Sequence, residues 1–84
     1  MIVRYKKPAA KTLLRIQPKL AANFDARLEE IARDPEGQHP NVRQLVGREG
    51  FRLRVGDWRA LFWIDYENDQ LVVEAIEPRG QVYK

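Results

Sequence analysis

Cysteine and serine are both absent from this chain, and histidine occurs once, as His39. Without cysteine there is neither a disulfide framework nor a thiolate for a zinc site, and the composition suits a reducing cytosol. Without serine there is no nucleophile for a Ser-His-Asp hydrolase, which excludes that covalent chemistry. His39 stands in a polar stretch with no second ligand beside it, so it reads as a loop residue rather than a metal ligand. Long hydrophobic runs are missing too. No segment approaches the roughly 20 apolar residues of a membrane span, and "MIVRYKKPAAKTLL" lacks the apolar centre of a signal peptide. The expectation is a soluble, cytoplasmic protein with no membrane partner. Length is the last scarcity. A chain of 84 residues is expected to form one domain, 1–84, that buries only about 60–65% of its unfolded surface. Core side chains cannot be spared for chemistry, which places any active site on the surface.

What the chain has in excess is arginine in one place. The net charge is only +3, yet Arg43, Arg48, Arg52, Arg54 and Arg59 fall within 17 residues against two carboxylates, Glu49 and Asp57. That segment is suited to an anionic partner.

The periodicity predicts the elements around it. Ile2 to Tyr5 reads as a first strand, and Pro8 suits the opening turn of a helix that carries Leu13, Leu14 and Ile16. Pro18 interrupts that helix and opens a second, whose Leu20, Phe24, Leu28 and Ile31 recur at helical spacing and form its core stripe; Asp34-Pro35 ends it. The stretch "DPEGQHPNVRQLVGREG" reads as a long turn-rich connection, with Leu45 and Val46 expected to tuck it to the core. The period then becomes two. Phe51, Leu53 and Val55 alternate with Arg52 and Arg54, Gly56-Asp57 signals a hairpin turn, and Trp58 to Asp65 and Leu71 to Ile76 read as two further strands. The fold class expected is α+β, in the order β-α-α-β-β-β: an N-terminal strand and a two-helix hairpin packed on one face of a small, mostly antiparallel sheet.

If Ala60, Phe62 and Ile64 share the core face with Phe51, Leu53 and Val55, then Arg59, Leu61 and Trp63 share the other face with Arg52 and Arg54. A solvated amphipathic strand explains Arg52 and Arg54 alone. Three arginines with an aromatic on one face suit phosphate and base better than bulk water. Arg79 and Tyr83 follow the last strand, where a tail can fold beside that face, and Lys6, Lys7 and Lys11 are able to extend the basic surface.

The stretch Gly50 to Phe62, "GFRLRVGDWRALF", and the ending "PRGQVYK" resemble the RelE/ParE superfamily of bacterial toxin–antitoxin toxins, in which a glycine, alternating arginines, a Gly-Asp turn and a terminal tyrosine recur. The likeness extends over essentially the whole chain. In the RelE-like branch it implies a toxin of a type II system that cleaves mRNA on the ribosome, without metal or other cofactor, and so inhibits translation. It further implies a cognate antitoxin, mRNA on the ribosome with 16S rRNA contacts, and a catalytic set of Arg52, Arg54, Arg59, Arg79 and Tyr83. Arg48 and Trp63 are assigned to substrate binding. The ParE-like branch has the same fold but poisons DNA gyrase by protein binding and generally lacks the full basic and tyrosine set, so the joint presence of these residues favours the ribonuclease. A non-catalytic member that binds RNA or antitoxin is the third reading.

Metal-free RNA cleavage requires a deprotonated, aligned 2′-hydroxyl, a stabilised phosphate and a protonated leaving 5′-oxygen. Arginine answers the second need through its planar, permanently charged donor fork, but it is a poor general base. Several relatives have Lys or Glu where this chain has Arg52 and Arg54, and a His common before the C-terminal arginine is Pro78 here. Glu49 is the nearest carboxylate in sequence and a possible general base; Tyr83 and the ribosome are the other sources of proton transfer.

Overall fold

The computed structural model describes residues 1–78. Its elements are β1 (Ile2–Tyr5), α1 (Lys7–Arg15), α2 (Pro18–Arg33), β2 (Val42–Gln44), β3 (Phe51–Val55), β4 (Trp58–Asp65) and β5 (Gln70–Pro78). The strands form one sheet in the order β1-β5-β4-β3-β2, antiparallel except that β1 runs parallel to β5. This is the expected α+β arrangement with one strand added, β2, inside the segment read as a connection. Three residues with a single apolar side chain, Val42, give no alternation from which to infer a strand.

Pro8 and Pro18 stand in the opening positions of α1 and α2, where a missing N–H leaves no helical bond unmade. α1 packs on β5, and α2 on β1, β3 and β5. Phe24, Leu28, Leu53, Leu71 and Val73 are fully buried between helices and sheet, with Ile31, Phe62 and Ile76 nearly so. Each such side chain contributes about 1.5–3 kcal/mol by leaving water. Phe51 stacks on Phe62 across β3 and β4 at 5.5 Å between ring centroids. Leu20, the first residue of the helical stripe, is half-buried at the rim of this core. Tyr5 reaches from β1 to α2, its hydroxyl donating to Asp25 Oδ1 at 2.7 Å; burial, then that carboxylate, raise its phenol above the ordinary value. Among the described residues no helix is long and apolar enough to cross a membrane.

The loop after α2 is tied back to it. His39 Nε2 lies 2.7 Å from the Asp34 carbonyl and Arg27 donates to the Pro40 carbonyl at 2.6 Å, which gives His39 a structural place in the loop. Leu45 is half-buried as expected, whereas Val46 is 98% exposed. It lies just beyond the end of β2, where the chain turns away from the sheet towards Gly50. Gly50 itself has φ +112°, and a Cβ there would come within 2.9 Å of the Phe62 carbonyl, so only glycine lets β3 begin this close to β4. At the far end of β3, Gly56 takes φ +60° as the first residue of a two-residue hairpin loop, a position glycine holds in type II′ turns.

One irregularity decides what the outer face contains. Leu61 pairs with Ala75 but Phe62 with Val73, so Glu74 is an extra residue in β5, a β-bulge. Strict alternation from Leu71 and Val73 would send Glu77 towards the helices. With the bulge, Ile76 enters the core and Glu77 emerges on the opposite face, directly across from Arg59.

Candidate functional site

The face of the sheet away from the helices is built in rows that run across the strands. One row is Arg54–Arg59–Glu77, from β3 through β4 to β5; the next is Arg43–Arg52–Leu61–Ala75, beginning on β2; a third is Trp63–Val72–Arg4. Two of the cross-strand neighbours are therefore like charges, Arg43 opposite Arg52 and Arg54 opposite Arg59. Such pairs oppose sheet formation by roughly 0.2–1 kcal/mol each. A surface that keeps them carries a concentrated positive field, suited to an anionic partner.

Arg43, Arg52 and Arg59 line one shallow cleft of about 560 Å³, together with Gln44, Leu45 and Val46. Arg52 is half-buried and Arg43 exposed. Among the described residues neither has a carboxylate within ion-pair distance. Arg59 differs. Its side chain is only 13% exposed, and its Nη2 lies 3.0 Å from Oε1 of Glu77, whose side chain is 29% exposed. The contact uses one donor, and Arg59 Nε is buried without a partner among the described residues. Arg54 occupies the same row but turns to the hairpin, where its Nε donates to the Gly56 carbonyl at 3.4 Å.

Trp63 is half-buried on this face, and its indole N–H donates to Glu74 Oε1 at 2.7 Å. The other oxygen of Glu74 lies 3.3 Å from Lys6 Nζ, so the bulged carboxylate joins β4 to the segment between β1 and α1. Val72 is 1% exposed although it faces away from the helices; its neighbours in register, Trp63 and Arg4, are the side chains placed to cover it. This gives the outer face a small dry floor beside its charges.

The expected residues are thus partly brought together. Arg52 and Arg59 share the cleft, Arg54 and Trp63 share its face, and Arg48 and Glu49 stand exposed in the β2–β3 loop outside the cleft lining. Arg79 and Tyr83 lie outside the described residues. Sequence reading counted Arg43 in the basic segment but not in the site, because its strand was not recognised, and it missed Glu77, which the bulge moves from one face to the other. A larger hollow of about 720 Å³ opens between the helices and the strand ends, lined by Thr12, Leu20, Trp58, Ile76, Glu77 and Pro78 among others; Glu77 borders this hollow and meets the arginine cleft only through Arg59. The hollow is a mixed surface with one arginine, Arg15; the arginine cluster is what marks the smaller cleft.

Comparison with known proteins places this geometry. No curated protein sequence matches the chain. Among solved structures it is similar to a RelBE toxin–antitoxin complex from Mycobacterium tuberculosis, at 25% identity and a TM-score of 0.73 over 93% of this chain and 96% of that one. It is also similar to the archaeal RelE–RelB complex from Pyrococcus horikoshii, at 18% identity and 0.75 over 95% and 96%, and to a YoeB/ParE toxin from Agrobacterium tumefaciens, at 13% and 0.78 over 93% and 98%. Residues 3–83 match the family model described as ParE toxin of type II toxin-antitoxin system, parDE. The chain therefore belongs to the ParE toxin family of type II toxin–antitoxin systems, within the RelE/ParE superfamily that its arginine-rich hairpin resembles.

Proposed function

We propose that this toxin is a ribosome-dependent, metal-independent mRNA endoribonuclease that arrests translation and is silenced by a cognate antitoxin. The observation that carries the reading is the cleft that Arg43, Arg52 and Arg59 line on the helix-free face. A phosphate entering it meets several planar donor forks, which stabilise the extra negative charge that develops as the 2′-oxygen attacks phosphorus. Arg54 adds to the field along the same row, and Trp63 offers a ring for a base. Arg79 and Tyr83 complete the proposed catalytic set, and Arg48 with Lys6, Lys7 and Lys11 supplies contacts to ribosomal RNA. The ribosome presents mRNA already aligned, so a protein this small needs to add charge and proton transfer rather than a deep pocket. The antitoxin is expected to cover the basic face with an acidic segment; that such a partner exists is supported by the RelE–RelB complex to which the chain is similar.

A second reading has its own support. The matching family model is of ParE type, and Arg59 is neutralised within the chain by Glu77, which suits a protein-binding toxin directed at gyrase. The two readings separate in one comparison. Purified toxin is expected to cut mRNA when ribosomes are present and to leave naked mRNA whole, with gyrase supercoiling unaffected. Intact mRNA beside blocked supercoiling would transfer the assignment to gyrase.

A further inference from the structure

We propose that Glu77 is the general base of the cleavage reaction, held against Arg59 until RNA binds; the assignment rests on the ribonuclease reading above. Three observations carry it. The bulge at Glu74 delivers Glu77 to the outer face directly across from Arg59, where strict alternation would have turned it to the core. The two side chains meet through one donor and one oxygen, Arg59 Nη2 to Glu77 Oε1 at 3.0 Å, and Arg59 Nε is buried without an acceptor among the described residues. Many arginine–carboxylate pairs close both sides of the fork; this one uses a single donor. The guanidinium is only 13% exposed, so the donor it offers an incoming phosphate oxygen is the one released when Nη2 parts from Glu77. Finally, the other outer-face carboxylate of this region is committed elsewhere: both oxygens of Glu74 are engaged, one by Trp63 and one by Lys6, whereas Glu77 Oε2 has no hydrogen bond among the described residues.

The spacing suits the chemistry. The 2′-oxygen and phosphorus of a productive RNA conformer lie about 3–3.5 Å apart, so the group that holds the phosphate and the group that takes the 2′-proton need to be near neighbours on one surface. Arg59 and Glu77 are such neighbours. In the step proposed, Arg59 exchanges the carboxylate for a non-bridging phosphate oxygen, and Glu77 takes the proton of the neighbouring 2′-hydroxyl as its oxygen bonds to phosphorus. The bond from phosphorus to the 5′-oxygen breaks, and that oxygen takes a proton from solvent. Glu77 returns its own proton to solvent, leaving a 2′,3′-cyclic phosphate and a 5′-hydroxyl. No oxidant or metal enters the balance.

The test is single-turnover cleavage of mRNA on programmed ribosomes by the full chain and its Glu77→Gln, Glu77→Ala and Glu77→Asp variants, with ribosome binding and thermal melting measured alongside. General-base catalysis is worth about 10²–10⁴-fold. E77Q is expected to bind ribosomes at least as well as the parent, to melt cooperatively, and to cleave at least about 100-fold more slowly; E77D, which keeps a carboxylate on a shorter stem, is expected to fall between them. If Glu77 merely neutralises Arg59, removing its charge frees the guanidinium, and E77Q and E77A would cleave as fast as the parent or faster. That result would overturn the assignment while leaving the ribonuclease reading intact. A parent chain that cuts nothing on ribosomes would remove both.

Discussion

The two faces of the sheet are made by the same strands, and alternate residues along each strand go to opposite purposes. Towards the helices stand Leu53, Ala60, Phe62, Leu71, Val73 and Ile76, dry and closely packed. Away from them stand Arg43, Arg52, Arg54 and Arg59, with cross-strand like charges that a purely structural surface has no reason to keep. The difference teaches where stability resides and where the proposed activity has room to act. One face holds the fold with apolar area; the other gives up some of that stability to gather positive charge in a cleft.

Substitutions should therefore divide by face. The largest effect is expected inside. Phe24→Ala should lower unfolding free energy by about 3–5 kcal/mol in urea melts and abolish toxicity only because the chain unfolds. Outside, Arg52→Ala should slow ribosome-dependent cleavage by about 100-fold or more, equivalent to about 2.7 kcal/mol of barrier, without lowering the melting temperature, since it also relieves the repulsion from Arg43.

Arg59 lies between these cases and sharpens the comparison. Arg59→Ala should abolish cleavage and also cost about 1–3 kcal/mol, because it leaves the partly buried Glu77 carboxylate without its partner. Adding Glu77→Ala should restore most of that stability and none of the activity, a coupling that a double-mutant cycle measures directly. A smaller effect is expected on the helix side. Tyr5→Phe should cost about 1 kcal/mol at neutral pH through the lost hydrogen bond to Asp25. The sign of its pH dependence follows from the raised phenol. Below about pH 10 the phenol is protonated in both states and its contribution is complete. As pH rises beyond that, the unfolded chain ionises first and stability falls. Urea melts on either side of about pH 10 should show this fall in the parent and a weaker one in Tyr5→Phe.

The division between faces was legible in the sequence where periodicity is long enough to read. Phe51-Leu53-Val55 against Arg52-Arg54 places β3, the prolines mark both helix starts, and Phe24, Leu28 and Ile31 mark the buried stripe. Three things were hidden for physical reasons. β2 is too short to show a period, so Arg43 was counted in the basic segment but not in the cleft. Val46 is apolar yet exposed, because the chain leaves the sheet after Gln44. Glu77 owes its face to a bulge, and a single extra residue that inverts parity leaves no trace in an alternating pattern. Nor does composition reveal that Arg59 is paired, since its partner is 18 residues away and meets it only through strand register.

The most direct test of the account maps RNA 3′ ends in a translating extract to which the parent chain or its Arg52→Ala variant is added. The account predicts new ends inside codons with the parent, none when ribosomes are omitted, and none above background with the variant. Unchanged RNA ends with a parent that still arrests growth, or equal cutting by the variant, would contradict it.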